Sequence, residues 1–196
     1  CPLVEVEPLP RAPLGLPGEH QRINGALALW AARVLVPDLR ADELDGVRWP
    51  GRLERMAVGE GTLVLDVAHN PAGVVVVAAA VLAGDVPRPD LVVMGCQADK
   101  DAAGMVAALA PVPGPRVWVS LVPGATPPAG EWTTRYPAPD DPDLARALDS
   151  TLGQGRTVLV LGSHVLVGAV RARVQGLTAP ADPQDPRAEP PGPPGG

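Results

Sequence analysis

An open α/β sheet, mostly parallel and covered by helices on both faces, is the fold this sequence predicts. Three observations carry that expectation. Short uninterrupted runs rich in Val and Leu recur at Leu63–Leu65, Leu91–Met94, Val117–Val119 and Val158–Leu161, as strands buried on both faces require. Segments with helical apolar spacing lie between them. Strand and helix therefore alternate along the chain, which favours parallel pairing through crossover helices.

Taken in order, Ile23, Leu27, Trp30 and Val34 fall at i, i+4, i+7 and i+11, one face of a helix running from Glu19 to Val36. A second helical signal covers Ala41–Val47. Arg52–Met56 and Thr62–Asp66 flank a Gly59-Glu60-Gly61 turn and read as two strands in tight connection. Pro71 suits the first position of a helix, and Val74–Leu82 is apolar on every side, which predicts a deeply packed helix. Ala102, Met105, Val106 and Leu109 mark the next helix. Leu144, Leu148 and Leu152 mark another, and Leu166, Val170, Val174 and Leu177 the last. Pro111–Pro115 and Gly124–Gly130 read as loops. The residues from Trp49 to Leu177 are thus expected to form a Rossmann-like domain with at least four parallel strands.

The chain has 22 Gly and 26 Pro, and they are densest in the C-terminal tail from Ala179, where seven Pro and three Gly fill ten of eighteen positions; this tail reads as a solvated, disordered segment. The rest is rich enough in Val, Leu and Ala for the core of one ordinary domain, which excludes a wholly disordered or collagen-like chain. No apolar run approaches the roughly 18 residues of a membrane span. The net charge is −6, Lys100 is the only lysine, and there is no Phe and no basic cluster. A nucleic-acid footprint is therefore missing. Cys1 and Cys96 are too few for a disulfide framework and lack metal-ligand spacing. Cys96, at the end of an apolar run, reads as a buried reduced thiol. A Cys at position 1 is read as the start of a chain cut from a longer one. A lipid-anchored N-terminus is the alternative, although Pro2–Val6 is more apolar than the polar tether it would need.

In open α/β sheets ligands gather at the carboxyl ends of the strands. Three polar segments fall there: Asp66-Val67-Ala68-His69-Asn70-Pro71, Gly95-Cys96-Gln97-Ala98-Asp99-Lys100-Asp101 and Leu161-Gly162-Ser163-His164. Together they place a carboxylate, an imidazole, an ammonium and a hydroxyl on one rim. Each has a plainer local reading. Asp66 and Asn70 suit a turn and a helix N-cap, His69 a packed ring, Lys100 a solvated charge and Ser163 a cap. Trp49-Pro50-Gly51-Arg52 suits a turn anchored by Trp49. The ammonium of Lys100 is a compact point charge where a guanidinium fork would not fit.

Five segments now fall into register: His20-Gln21-x-x-Asn24 with Ala26 and Ala28, Trp49-Pro50-Gly51-Arg52-Leu53-Glu54, Asp66-x-Ala68-His69-Asn70-Pro71-Ala72-Gly73, Asp99-Lys100-Asp101 and Gly162-Ser163. In order and spacing, from about Gly18 to Gly176, they resemble the C-terminal part of folylpolyglutamate synthase/dihydrofolate synthase in the Mur ligase superfamily. The resemblance implies a cytoplasmic, ATP-dependent amide ligase in which a carboxylate becomes an acyl phosphate and L-glutamate attacks it. It implies ATP contacts at Asn24 (adenine), Arg52 (phosphates), Asp66 and His69, and contacts to the incoming glutamate at Lys100 and Ser163. A non-catalytic nucleotide- or small-ligand-binding module of the same fold is the alternative.

Several positions depart from the family's pattern. Val67 stands where glycine is usual, and His164-Val165 where Leu-Tyr is common. An Arg-Ala pair after the third strand is not evident, Thr134-Arg135-Tyr136 being the nearest match. No Gly-Lys-Ser/Thr occurs, so this sequence encodes no Walker A loop. The resemblance therefore implies that the phosphate loop, the Mg²⁺ ligands and most of the folate or dihydropteroate pocket belong to an N-terminal ATPase domain, a partner outside this sequence. Residues 1–46 are then that domain's last helix and linker, 47–177 the α/β domain, and 178–196 the tail.

Overall fold

The computed structural model describes residues 5–13, 15–122 and 127–176. The expectations for Cys1, for Leu177, for the tail and for part of Gly124–Gly130 lie outside the described residues. Among the described residues, six strands form one sheet: β1 (Glu54–Val58), β2 (Gly61–Asp66), β3 (Leu91–Met94), β4 (Arg116–Val119), β5 (Thr134–Tyr136) and β6 (Thr157–Leu161). Their order across the sheet is β1-β2-β6-β3-β4-β5. Only β1 runs antiparallel, paired with β2 through the expected tight turn, while β2, β6, β3, β4 and β5 are mutually parallel.

Side chains alternate between the two faces with the period of two that a strand imposes. Val64, Val92, Met94, Leu159 and Leu161 join one buried cluster with residues of α2 (Pro71–Ala83) and α3 (Ala102–Leu109). Leu63, Leu65, Val93, Val158 and Val160 join the other with α4 (Pro142–Gly153) and α5 (His164–Val174). Both faces are covered, so the central strands can be apolar throughout, as their sequence is.

Four expectations need correction. The first helix, α1 (His20–Ala32), is shorter than Glu19–Val36; beyond Ala32 the chain tightens into turns, with Val34 N–H donating to the Ala31 carbonyl and Leu35 N–H to that of Ala32. Its buried side is Gln21, Gly25, Ala26 and Leu29 rather than the apolar stripe. Gly25 lets Leu9, Pro13 and Leu44 approach closely, whereas Ile23, Leu27 and Trp30 remain about half exposed and Val34 more so. The Ala41–Val47 signal is a 3-10 turn, Ala41–Gly46. Helix α2 is not packed all round, since Val75 and Leu82 face outward at 55% and 60% exposure; only one side of a helix on a sheet can meet that sheet. Finally, Leu121–Asp140 reads in the sequence as a Pro-rich loop, yet within it Thr134-Arg135-Tyr136 forms the edge strand β5. With three residues, of which only Tyr136 is buried, it lacks the apolar run that announced the others.

Candidate active site

Because β6 inserts between β2 and β3, the exits of those three strands lie side by side. They are the three polar segments singled out in the sequence. Tertiary pairing thus turns three separate loops into one rim. Gly162 makes the close approach possible: its φ is +108°, and a Cβ there would lie 2.5 Å from the Gly95 carbonyl oxygen at the end of β3.

The first exit is organised by Asp66. Its carboxylate is buried and accepts two backbone N–H groups, from Ala68 at 2.8 Å and from Leu53 at 2.9 Å. The second bond reaches across to the turn before β1. There Gly51 and Leu53 both have positive φ, +70° and +47°, a conformation costly for a leucine. The turn is held by three further ties. Gly51 N–H donates to Glu54 at 2.9 Å, Val67 N–H donates to the Gly51 carbonyl at 2.9 Å, and the Leu53 side chain is 1% exposed. Trp49 is 65% exposed, so Leu53 rather than Trp49 anchors the turn. Arg52 rides on it with an exposed guanidinium that makes no hydrogen bond or ion pair to another described residue.

Arg52, Asp66 and His69 line one cleft of about 150 Å³, together with His20 from the start of α1. Burial raises the Asp66 carboxyl above its ordinary range, against the two backbone bonds and the nearby Arg52 and His20. Burial also lowers the His20 imidazole, and Arg52 adds to that effect. Asn24 does not line this cleft. It lies one helical turn further along α1, exposed, and donates to Gln21 at 3.1 Å. Asn70 adopts the capping role open to it: its side chain accepts from Gly73 N–H at 2.8 Å, with Pro71 in the first turn, a cap worth about 1 kcal/mol.

A second cleft of about 190 Å³ is lined by His69, Gln97, Lys100, Gly162, Ser163, His164 and Val165. Lys100 pairs with Asp99 at 2.7 Å, which holds the Asp99 carboxyl below its usual range. Ser163 caps α5 by accepting from Val165 N–H at 3.1 Å, which leaves its O–H free to donate. The rings of His69 and His164 stand 5.5 Å apart. His69 lines both clefts, so the two are neighbours joined at one imidazole. A larger hollow, about 420 Å³ around Trp49, Glu54 and Arg171, involves none of the strand exits.

The sequence reading left out His20, Gln97 and His164 as site residues. His20 was visible as the first residue of a motif read only for its asparagine. His164 was visible as a departure from the usual Leu. Gln97 carried no signal beyond its loop. Among the described residues no three or more His, Cys, Asp or Glu side chains gather as a metal site. No helix there is long and apolar enough to cross a membrane.

The profile of the Mur ligase glutamate ligase domain matches residues 51–164, more than half of the chain. The chain belongs to this family. This glutamate ligase domain is similar to the dihydrofolate synthase/folylpolyglutamate synthase of Mycobacterium tuberculosis, 40% identical over 109 residues, which cover 50% of this chain and 22% of that protein. It is also similar to a probable bifunctional folylpolyglutamate synthase/dihydropteroate synthase of Halobacterium salinarum, 40% identical over 104 residues, 52% of this chain and 12% of that protein. Among solved structures, Mycobacterium tuberculosis folylpolyglutamate synthase complexed with ADP and AMPPCP superposes with a TM-score of 0.63 at 32% identity, over 81% of this chain and 41% of that one. The Thermotoga maritima folylpolyglutamate synthase shares the fold, with a TM-score of 0.61 at 22% identity over 81% of this chain and 39% of that one. The chain thus spans less than half the length of the relatives it matches.

Proposed function

We propose that this domain is the glutamate-handling part of an ATP-dependent ligase that joins L-glutamate to folate or dihydropteroate through an acyl phosphate. The observation that carries the reading is the shared imidazole. A cleft with the free guanidinium of Arg52 and a cleft with Lys100 and Ser163 meet at His69. Acyl transfer to an amine needs that adjacency, because the nucleotide's departing phosphate and the attacking amino acid must face one carbonyl carbon. Holding them there is mainly a matter of position and electrostatics. Arg52 would face the phosphates. Lys100 and the Ser163 hydroxyl would hold the carboxylates of glutamate, and Asp66 would fix the turn that aims Arg52. Family membership and the names of the relatives support the same reading. ATP bound with Mg²⁺ supplies the activated phosphoryl group. The metal's ligands and the phosphate loop are assigned to an N-terminal ATPase domain.

The test is reconstitution. Fused behind the N-terminal ATPase region of the Mycobacterium tuberculosis relative, this chain should support glutamate-dependent release of ADP. Arg52→Ala should raise the ATP requirement, and Lys100→Ala the glutamate requirement, each by about 10-fold or more, the worth of one charge-assisted contact. An unchanged glutamate requirement in Lys100→Ala would return that lysine to a surface charge. A fusion that folds and binds nucleotide without turning over would favour the non-catalytic module.

A further inference from the structure

We infer that His164 reads the side-chain carboxylate of the incoming amino acid, so that filling the 190 Å³ cleft draws a proton onto the His164 ring. This rests on the assignment of that cleft to glutamate. His164 opens α5 directly after the Ser163 cap, and its ring lies 5.5 Å from His69. His69 places Nδ1 2.9 Å from the Val67 carbonyl, leaving Nε2 uncommitted. The His164 side chain makes no hydrogen bond to a described residue, and its ring is exposed to the cleft. The space is smaller than the roughly 300–1,000 Å³ that larger organic ligands occupy, which suits a single amino acid.

The protein's own charges facing His164 are unbalanced. Arg52 on the turn before β1 and His69 after β2 oppose a proton there, and burial opposes it more; Asp66 alone favours it. Asp66, however, has both oxygens committed to backbone N–H groups. Asp99, after β3, is neutralised by Lys100. A carboxylate arriving beside the ring supplies the missing negative charge. An opposite charge within about 4–6 Å favours the protonated ring by a factor of roughly 10 or more. Solvent gives up the proton, which forms an N–H bond with the lone pair of a ring nitrogen; no bond of the ligand changes, and its amino group is left free. The family's more usual leucine at this position could not respond in this way.

The test uses the 196-residue chain and L-glutamate as probe, followed by NMR of the three histidines, of Lys100 and of the Ser163 amide. Glutamate should bind about 3- to 10-fold more tightly at pH 6 than at pH 8, with the His164 resonances moving to their protonated positions. His164→Gln, an exposed substitution, should keep the fold and bring that ratio to about 1. L-Glutamine, without the side-chain charge, should not protonate the ring. Glutamate shifts at Lys100 and Ser163 with an unmoved His164, or an equal response to glutamine, would overturn the inference and leave the amino-acid cleft standing. No response at Lys100, Ser163 or His164 would overturn both.

Discussion

Replacing Asp66 by Asn tests how the site is built. The side chain is isosteric, so packing is unchanged, but one of the two acceptor oxygens becomes an NH₂ group. Either Leu53 N–H or Ala68 N–H then faces a donor instead of an acceptor. A buried N–H left unpaired costs about 1–3 kcal/mol. For a chain of this size that corresponds to a fall of roughly 2–12 °C in Tm, at about 2–4 °C per kcal/mol. The Leu53 bond should be the one that matters for function, because Leu53 holds a left-handed φ of +47° that persists only while its surroundings enforce it. Released, the turn would relax and carry Arg52 out of the cleft. Burial raises the folded-state carboxyl of Asp66 above its ordinary value of 3.8. The stability this group contributes is therefore fully present below that value and falls as pH rises through the raised one. The gap between wild type and Asp66→Asn should accordingly narrow between pH 3 and neutrality. Thermal melts of both proteins across that range provide the assay. A variant that melts within a degree of wild type at every pH, with an unchanged Leu53 amide resonance, would refute the account of the turn.

Two further outcomes follow from burial. Burial lowers the His20 imidazole below its ordinary value of 6.5, so its share of stability is present above that value and lost as pH falls below it. His20→Gln should therefore flatten the loss of stability between pH 7 and 5 in urea titrations, and an unchanged slope would contradict that placement. Cys96 is 7% exposed and unpaired, and burial pushes its thiol up. Mass mapping after brief alkylation at pH 7.5 should find it modified about 100-fold more slowly in the native protein than after unfolding; comparable rates would show the end of β3 to be open.

The strand runs and helix spacings were legible in the sequence because each is a local pattern. A buried parallel strand must be apolar along its length, and Leu91–Met94 or Val158–Leu161 satisfies that wherever it sits in the sheet. The turn at Gly59–Gly61 and the Asn70–Pro71 helix start were legible for the same reason, since caps and tight turns depend on neighbours in the chain. Tertiary structure alone decided that β6 lies between β2 and β3. That placement converts three polar loops into one rim and lets His69 border two clefts. It alone decided that Asp66, whose motif suggested ligand contact, spends both oxygens on backbone N–H groups, one of them thirteen residues earlier in the chain. The exposed stripe on α1 escaped the sequence for a related reason. Periodicity identifies an apolar face, but which face is buried depends on what packs there, and Gly25 and Ala26 admit closer neighbours than Trp30 can. Sequence thus determined which residues could form each element. The strand order, set by nonlocal pairing, determined which of their side chains meet.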